Sequence, residues 1–342
     1  MFALTLLFGG GAFLAVRLRA LTVMPGVSYS GPFGALNADE EQLAKRLESS
    51  VLYLAEDVGP RSFLDSAARS KALAWIEHQL LIGGLDSTRE VYSPPRTERV
   101  QSEGETLVLE EFANLIVNLG GPAEAPLLLV SAHYDTVPGS PGADDDASGI
   151  AALLELANRF AQQPLSGNQL RVNLCFFDGE EAGVERMGSG FYARSLSESG
   201  EEIAGAISLE MLGTYTEEPA SQTFPSQLLA PFYPSEGNFL AFVGNESSGP
   251  IVRSTLSAFR AAAQFPSEGL VAPDSMPDVG RSDHASFWAE GWPGLMITDT
   301  ANFRNQHYHL KTDTADRVDY ARLARITRGL EGMIRKLAIE GL

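Results

Sequence analysis

Five residues able to bind a metal stand in five separate short motifs: His133, Asp145, Glu181, Glu210 and His309. Two imidazoles and three carboxylates make a donor set suited to a pair of zinc-like ions. Glu180 stands directly before one of them, where it could serve as a general base. The spacings of 12, 36, 29 and 99 residues are too wide for a zinc finger or a site borne on one helix. Ligands so scattered belong on loops at the ends of several strands, a pattern that points to a metallohydrolase.

Each motif has its own logic. The run 127–132 is apolar and leads into His133-Tyr134-Asp135. His133 therefore falls at the carboxyl edge of a sheet, where open α/β folds carry their sites. Asp135 is placed to accept a hydrogen bond from the far ring nitrogen, fixing the tautomer of a ligating His133. Between Pro141 and Gly149, three aspartates (Asp144, Asp145, Asp146) precede an apolar helix. Asp146 and Ser148 suit an N-cap, while the nearby glycines permit a turn sharp enough to aim one carboxylate inward. With two oxygens, such a carboxylate can bridge two cations.

Phe176–Glu181 joins a buried strand to paired glutamates. Glu181 can ligate while Glu180 takes a proton from a water acidified by the metal. Glu210 ends the run 206–211 between Leu209 and Met211, and a charge so placed needs a partner. Near the C-terminus, Ser282-Asp283-His284 offers an imidazole read either as a support behind the ligands or as structural. In the run 305–314, His307 and His309 are competing ligands that spacing alone does not separate. Tyr308 between them is either an oxyanion donor or a packed aromatic. Arg304 either contacts a substrate carboxylate or pairs with surface acids.

The elements that must position these residues alternate along the chain. Helices are predicted near 39–54 and over 66–81, followed by strands at 90–92, 106–118 and 127–132. Helix 147–162, strand 170–177, helix 187–198 and strand 204–211 come next. Strand 239–243, helix 250–263, strand 295–299 and a helix from Tyr320 to about Ile339 complete the set. Such alternation implies an α/β fold with a mixed, largely parallel sheet between helical layers. Thr214–Gly237 breaks the rhythm with four prolines; a loop of that length is usually functional, here a lid.

With 44% apolar residues the chain can bury a substantial core, and its net charge of −19 disfavours nucleic acid as a partner. The single cysteine, Cys175, lies in a strand pattern and excludes both an internal disulfide and a cysteine-rich zinc site. Phe2–Val16 is uncharged and mostly apolar, followed by Arg17 and Arg19. Residues 1–23 therefore read as an anchor or export signal, 24–38 as a linker and 39–342 as the catalytic domain. This organisation suggests a cell-envelope location, with a cytoplasmic one still open.

The motifs resemble the co-catalytic di-zinc aminopeptidases, a superfamily that includes bacterial leucyl aminopeptidases, glutamate carboxypeptidases and glutaminyl cyclases. The likeness runs from about residue 40 to the end, and is strongest over 131–210 and 283–314. It implies the zinc-exopeptidase fold, a three-layer αβα sandwich, with two zinc ions. It makes His133 a ligand, Asp145 the bridge, Glu180 the base and Glu181 a ligand. By its position four residues before Asp313, His309 rather than His307 completes the site. Most members carry Asp where this chain has Glu210. A cis peptide between Asp145 and Asp146 is also implied. The expected activity is removal of N-terminal residues from peptides; a single-zinc glutaminyl cyclase and a carboxypeptidase are the competing readings.

Overall fold

The computed structural model describes residues 21–93, 99–102, 105–108, 111–167, 169–182 and 187–342. Ten strands are described: β1 (Thr88–Tyr92), β2 (Arg99–Ser102), β3 (Glu105–Val108), β4 (Phe112–Asn118), β5 (Leu127–His133), β6 (Arg171–Phe177), β7 (Ile203–Glu210), β8 (Leu240–Asn245), β9 (Ser267–Ala272) and β10 (Gly294–Thr298). Eight form one sheet in the order β1-β4-β6-β5-β7-β10-β8-β9, and β2 pairs with β3 in a separate ribbon. The centre of the sheet is parallel: β5 runs alongside β6 and β7, and β7 alongside β10. The β1–β4, β4–β6 and β8–β10 pairs are antiparallel, so the sheet is mixed, as the alternation implied.

The central strands are apolar on both faces, as a sheet covered on both sides requires. On β5, Leu128, Val130 and Ala132 join the larger core while Leu127 and Leu129 join the smaller one opposite. On β6, Leu174 and Phe176 face the first layer, Cys175 and Phe177 the second. Full burial of each such Leu or Phe contributes about 1.5–3 kcal/mol. That makes the strands a rigid base for the charged groups at their ends.

Among the described residues seven α-helices accompany the strands: α1 (Ala38–Leu52), α2 (Ser66–Ile82), α3 (Ala147–Gln162), α4 (Met187–Ser199), α5 (Gly249–Ala262), α6 (His284–Ala289) and α7 (Tyr320–Glu340). Helices α1, α3, α5 and α7 pack on one another over one face, and α4 and α6 pack together on the other. The result is a three-layer αβα fold. Helix α1 starts at a capping box in which Asn37 accepts from Glu40 N and Glu40 answers to Asn37 N. Helix α7 buries Leu323, Ile326, Leu330, Met333, Ile334 and Leu337, a stripe at helical spacing that seals it to the core.

Several expectations need correction. The run 106–118 is not one strand: β3 belongs to the ribbon and β4 to the main sheet. The acidic pair Glu110-Glu111 interrupts the apolar sequence at that point. Strand β9 went unpredicted because Ser267, Glu268 and Gly269 weaken its pattern, and α6 because six residues are too few for a period to show. A π-helical turn, Tyr53–Val58, follows α1 and ends at Gly59, whose φ of 80° suits glycine.

The stretch read as a linker lies against the sheet edge. Ser267 N donates to Ser28 Oγ (2.9 Å), Arg260 Nη1 to Pro25 O (2.8 Å), and Phe33 packs on Phe265. The apolar run Phe2–Val16 lies outside the described residues. Among the described residues no helix is long and apolar enough to cross a membrane.

Candidate metal centre

Strands β5, β6, β7 and β10 end at the same edge of the sheet, and the five candidate ligands converge there. His133 is the last residue of β5 and Glu210 the last of β7. Asp145 comes from the β5–α3 loop, Glu181 from a short 3-10 turn after β6, and His309 from the segment before α7. His133, Asp145 and Glu210 form one triad with potential ligand atoms within 4.8 Å of one another; Asp145, Glu181 and His309 form a second. Asp145 is common to both. Glu180 joins a third grouping with His133 and Glu181, which puts its carboxylate at the edge of the cluster.

The distances fit a shared aspartate. His133 Nε2 lies 3.3 Å from Asp145 Oδ1 and 3.6 Å from Glu210 Oε2. On the other side, His309 Nε2 lies 3.2 Å from Asp145 Oδ2 and 2.9 Å from Glu181 Oε1. His133 Nε2, Asp145 Oδ1 and His309 Nε2 are buried without a hydrogen-bond partner. Orphaned polar atoms of this kind are costly, and cations held within the two triads would satisfy all three. The donor set of imidazole nitrogens and carboxylate oxygens suits zinc. The residues present therefore fit a metal.

Electrostatics carry the same message. Burial works against a charged His133, yet Glu210, Asp135 and Asp145 outweigh it and push its pKa well above the imidazole norm. His309 is likewise pushed up, to about 9, burial being outweighed by Asp145 and Glu181. Burial also opposes charge on Asp145, but the two imidazoles prevail and hold it below the usual carboxylate range. Glu180 is pushed well above that range by burial and by neighbouring Glu181. Glu181 rises to about 7, first through burial and then through Asp145. The cluster collects negative charge and draws in positive charge to match it.

A surrounding frame fixes these groups. His133 Nδ1 lies 3.2 Å from Asp135 O, while the Asp135 carboxylate accepts from Glu180 N (3.1 Å) and Glu181 N (3.0 Å). One aspartate thus sets both the His133 ring and the glutamate turn. Asp313 accepts from Asp144 N (3.0 Å) and Asp145 N (3.1 Å), tying the segment before α7 to the β5–α3 loop. The Asp145–Asp146 peptide is cis. Asp146 caps α3 through Gly149 N, as expected, and also accepts from Met211 N and His133 N. Ser148 donates to Asp144 O and accepts from Leu212 N. Met211 and His309 both adopt left-handed backbone (φ 53° and 60°), and non-glycine residues held so tend to gather at functional sites.

His307 stands apart from the cluster, its Nδ1 against Thr312 Oγ1 at 2.9 Å. His284 is buried, with Nε2 on Val279 O and its ring edge-on to Trp288, which fits the structural of its two readings. Tyr308 stacks on His309 with ring centroids 3.7 Å apart, and its hydroxyl takes a hydrogen bond from Arg281. Arg304 fits neither of its expected parts. Its buried guanidinium donates to Gln222 Oε1 and Phe239 O and lies over the Tyr215 and Phe239 rings. It holds the base of the 214–237 segment instead of meeting a ligand or surface acids.

Three supporting residues, Arg61, Arg69 and Ser282, were not foreseen. Arg61 is fully buried and donates to the carbonyls of Tyr134, Leu54, Gly59, Pro141 and Gly142. Burial lowers its pKa to about 10, against the pull of Asp135 and other site carboxylates. Gly142 in that loop has a φ of 60°, and a Cβ there would meet Asp145 O at 2.3 Å. Arg69 pairs with Asp178 at 2.7 Å beneath the glutamate turn. Ser282 Oγ donates to Glu210 Oε2 at 2.7 Å. Of these only Ser282 lies in a motif with a sequence signal, two residues before His284.

Beside the cluster, a cavity partly open to solvent is lined by Glu210 and Tyr308 on one side. Its walls are largely apolar and include Phe224, Leu229, Tyr233, Phe239, Val243, Leu270, Met296 and Phe303. Phe224, Leu229 and Tyr233 come from the segment foreseen as a lid.

The sequence profile of peptidase family M28 matches residues 114–333, more than half of the chain. The chain belongs to peptidase family M28. This M28 member is 33% identical over 299 residues to the uncharacterized protein YfbL of Escherichia coli K12, with 84% of this chain and 86% of YfbL aligned. It is 26% identical over 356 residues to LpqL of Mycobacterium tuberculosis H37Rv, named a probable lipoprotein aminopeptidase, covering 91% of this chain and 68% of LpqL. Its fold matches that of BSAP, a zinc aminopeptidase from Bacillus subtilis, with a TM-score of 0.66. At 17% identity over 87% of this chain and 96% of BSAP, that likeness shows the fold alone. Family and relatives together support a zinc-dependent exopeptidase.

Proposed function

We propose that the protein is a di-zinc aminopeptidase acting on peptides that begin with a large apolar residue. The observation that carries this reading is the pair of ligand triads sharing Asp145, with Glu180 at their edge. His133 and Glu210 would hold one ion, Glu181 and His309 the other, and Asp145 both. Zinc so bound would lower the pKa of water toward neutrality and polarise a carbonyl.

Glu180 then takes the proton of the attacking water and returns it to the leaving amine, a proton transfer typically worth 10²–10⁴-fold. Asp135, holding Glu180 N and Glu181 N, keeps base and ligand in register. The Tyr308 hydroxyl donates to the oxyanion that develops on the scissile carbonyl. The apolar cavity next to Glu210 and Tyr308 receives the first side chain. Within this reading residues 39–342 form the catalytic part and residues 2–16 attach it to the cell envelope. The name lipoprotein given to LpqL accords with that location. Fractionation that recovers the full-length protein in the soluble cytoplasm would overturn the envelope placement.

The test of function is a panel of aminoacyl-4-nitroanilides and N-blocked peptides, with wild type and Glu180→Gln compared at equal zinc loading. Leucyl and phenylalanyl substrates should be cleaved fastest, blocked peptides not at all, and Glu180→Gln should lose at least about 100-fold in kcat. Full activity in Glu180→Gln would sink the mechanism. Ammonia release from peptides beginning with Gln, at one zinc per chain, would favour a glutaminyl cyclase. Cleavage from the carboxyl end would favour a carboxypeptidase.

A further inference from the structure

Arg281 is bound on three sides, and the pattern has a chemical consequence. Its Nη1 donates to Asp278 Oδ1 (3.0 Å) and to Asn302 Oδ1 (2.8 Å), and its Nη2 donates to the Tyr308 hydroxyl. The guanidinium carbon lies 5.1 Å from the Tyr308 ring centroid, so it steadies the ring as well as the oxygen. The next residue, Ser282, donates to Glu210 Oε2. One short loop therefore reaches Tyr308 on one side of the cluster and Glu210 on the other. Arg281, Tyr308 and Glu210 all line the same cavity.

A guanidinium has only donors, so the Tyr308 oxygen must be the acceptor in its bond with Arg281. One oxygen lone pair is then committed, and the hydroxyl's single proton is directed away from Arg281. Both Nη groups of Arg281 are engaged with protein, and Asp278 offsets their charge, which leaves direct capture of a substrate anion a poor use for them. We propose that Arg281 is a positioning residue: it presents the Tyr308 hydroxyl as a donor to the oxyanion formed during peptide hydrolysis. This rests on the aminopeptidase reading and on Tyr308 as its oxyanion donor.

The test is a double-mutant cycle of Arg281→Met and Tyr308→Phe on the zinc-loaded enzyme with leucyl-4-nitroanilide. Arg281→Met should lower kcat by about 10- to 100-fold with KM within threefold of wild type. In the Tyr308→Phe background it should cost nothing further. Arg281→Lys, which keeps one donor and the charge, should recover part of kcat and guards against misfolding in the Met variant.

Calorimetry supplies a readout independent of turnover. The phosphonate analogue of leucine, a tetrahedral anion, should bind Arg281→Met at least about 10-fold more weakly, while planar leucine binds as before. Losses that multiply across the cycle would overturn the proposal, as would equal weakening of phosphonate and leucine or an unchanged kcat in Arg281→Met. A wild type that neither cleaves the anilide nor binds the phosphonate would overturn the aminopeptidase reading, and this inference with it.

Discussion

The two triads that meet at Asp145 differ in how they are built. His133, Asp145 and Glu210 are all buried, and two of the three ligands begin as the last residues of central strands. In the second triad Glu181 and His309 come from turns, and the His309 side chain is 33% exposed. The first triad is rigid because the sheet is rigid; the second depends on hydrogen bonds that fasten its loops, chiefly through Asp135 and Asp313. The His309 side is open to solvent. Enclosure on the Glu210 side gives a fixed wall shared with the apolar cavity. On the proposed reading, in which the site holds a metal pair and admits a peptide, that asymmetry serves both needs.

The largest expected effect is at the residue the two sides share. Asp145→Asn keeps the shape but removes the charge, and should abolish both tight zinc binding and peptidase activity, read by metal analysis and anilide hydrolysis together. Retention of one tightly bound ion would show that the triads are independent.

Next come the two histidines, which should break the comparison in opposite ways. His133→Ala leaves buried carboxylates without their imidazole and should destabilise the metal-free protein by about 3 kcal/mol in urea unfolding. His309→Ala, at the open side, should shift unfolding by less than about 1 kcal/mol while losing activity. Equal stability losses would mean that burial does not distinguish the two sides.

Arg61→Lys tests the support of the shared ligand. A lysine cannot serve five carbonyls spread around a planar fork, so unfolding free energy should fall by about 2–3 kcal/mol. The smallest effect is expected from Ser282→Ala. Loss of its hydrogen bond to Glu210 should weaken zinc in the closed triad by about tenfold, measured by competition with a chelator, with stability changed by about 1 kcal/mol.

Much of this arrangement was legible in the chain because it follows local rules. Helix α3 was readable from 147 to 162 since Asp146 caps it and its apolar residues repeat at helical spacing. His133 and Glu210 were readable as strand-end residues because the apolar runs before them are long. The choice of His309 over His307 came from a family likeness, since two histidines one residue apart offer no local distinction. The structure separates them by a left-handed φ that turns His309 into the cluster.

What stayed hidden depends on contacts between distant segments. Nothing near Arg61 announces that it will meet the carbonyls of Pro141 and Gly142, 80 and 81 residues away. Arg304 had the look of a surface or ligand-binding charge, yet it is buried among aromatics under the 214–237 segment. Ser282 stands beside the more conspicuous His284, and a serine in that run carries no local mark of its bond to Glu210. Ligands carry recognisable chemistry, whereas the residues that aim them are visible only once the chain is folded.

The central claim is that one carboxylate, Asp145, holds two ions. A zinc-edge anomalous difference map of crystals grown with zinc tests it most directly. The account predicts two peaks on either side of Asp145, each about 2.1 Å from one of its oxygens, one beside His133 and Glu210 and the other beside Glu181 and His309. A single peak, or a second peak remote from Asp145, would contradict it.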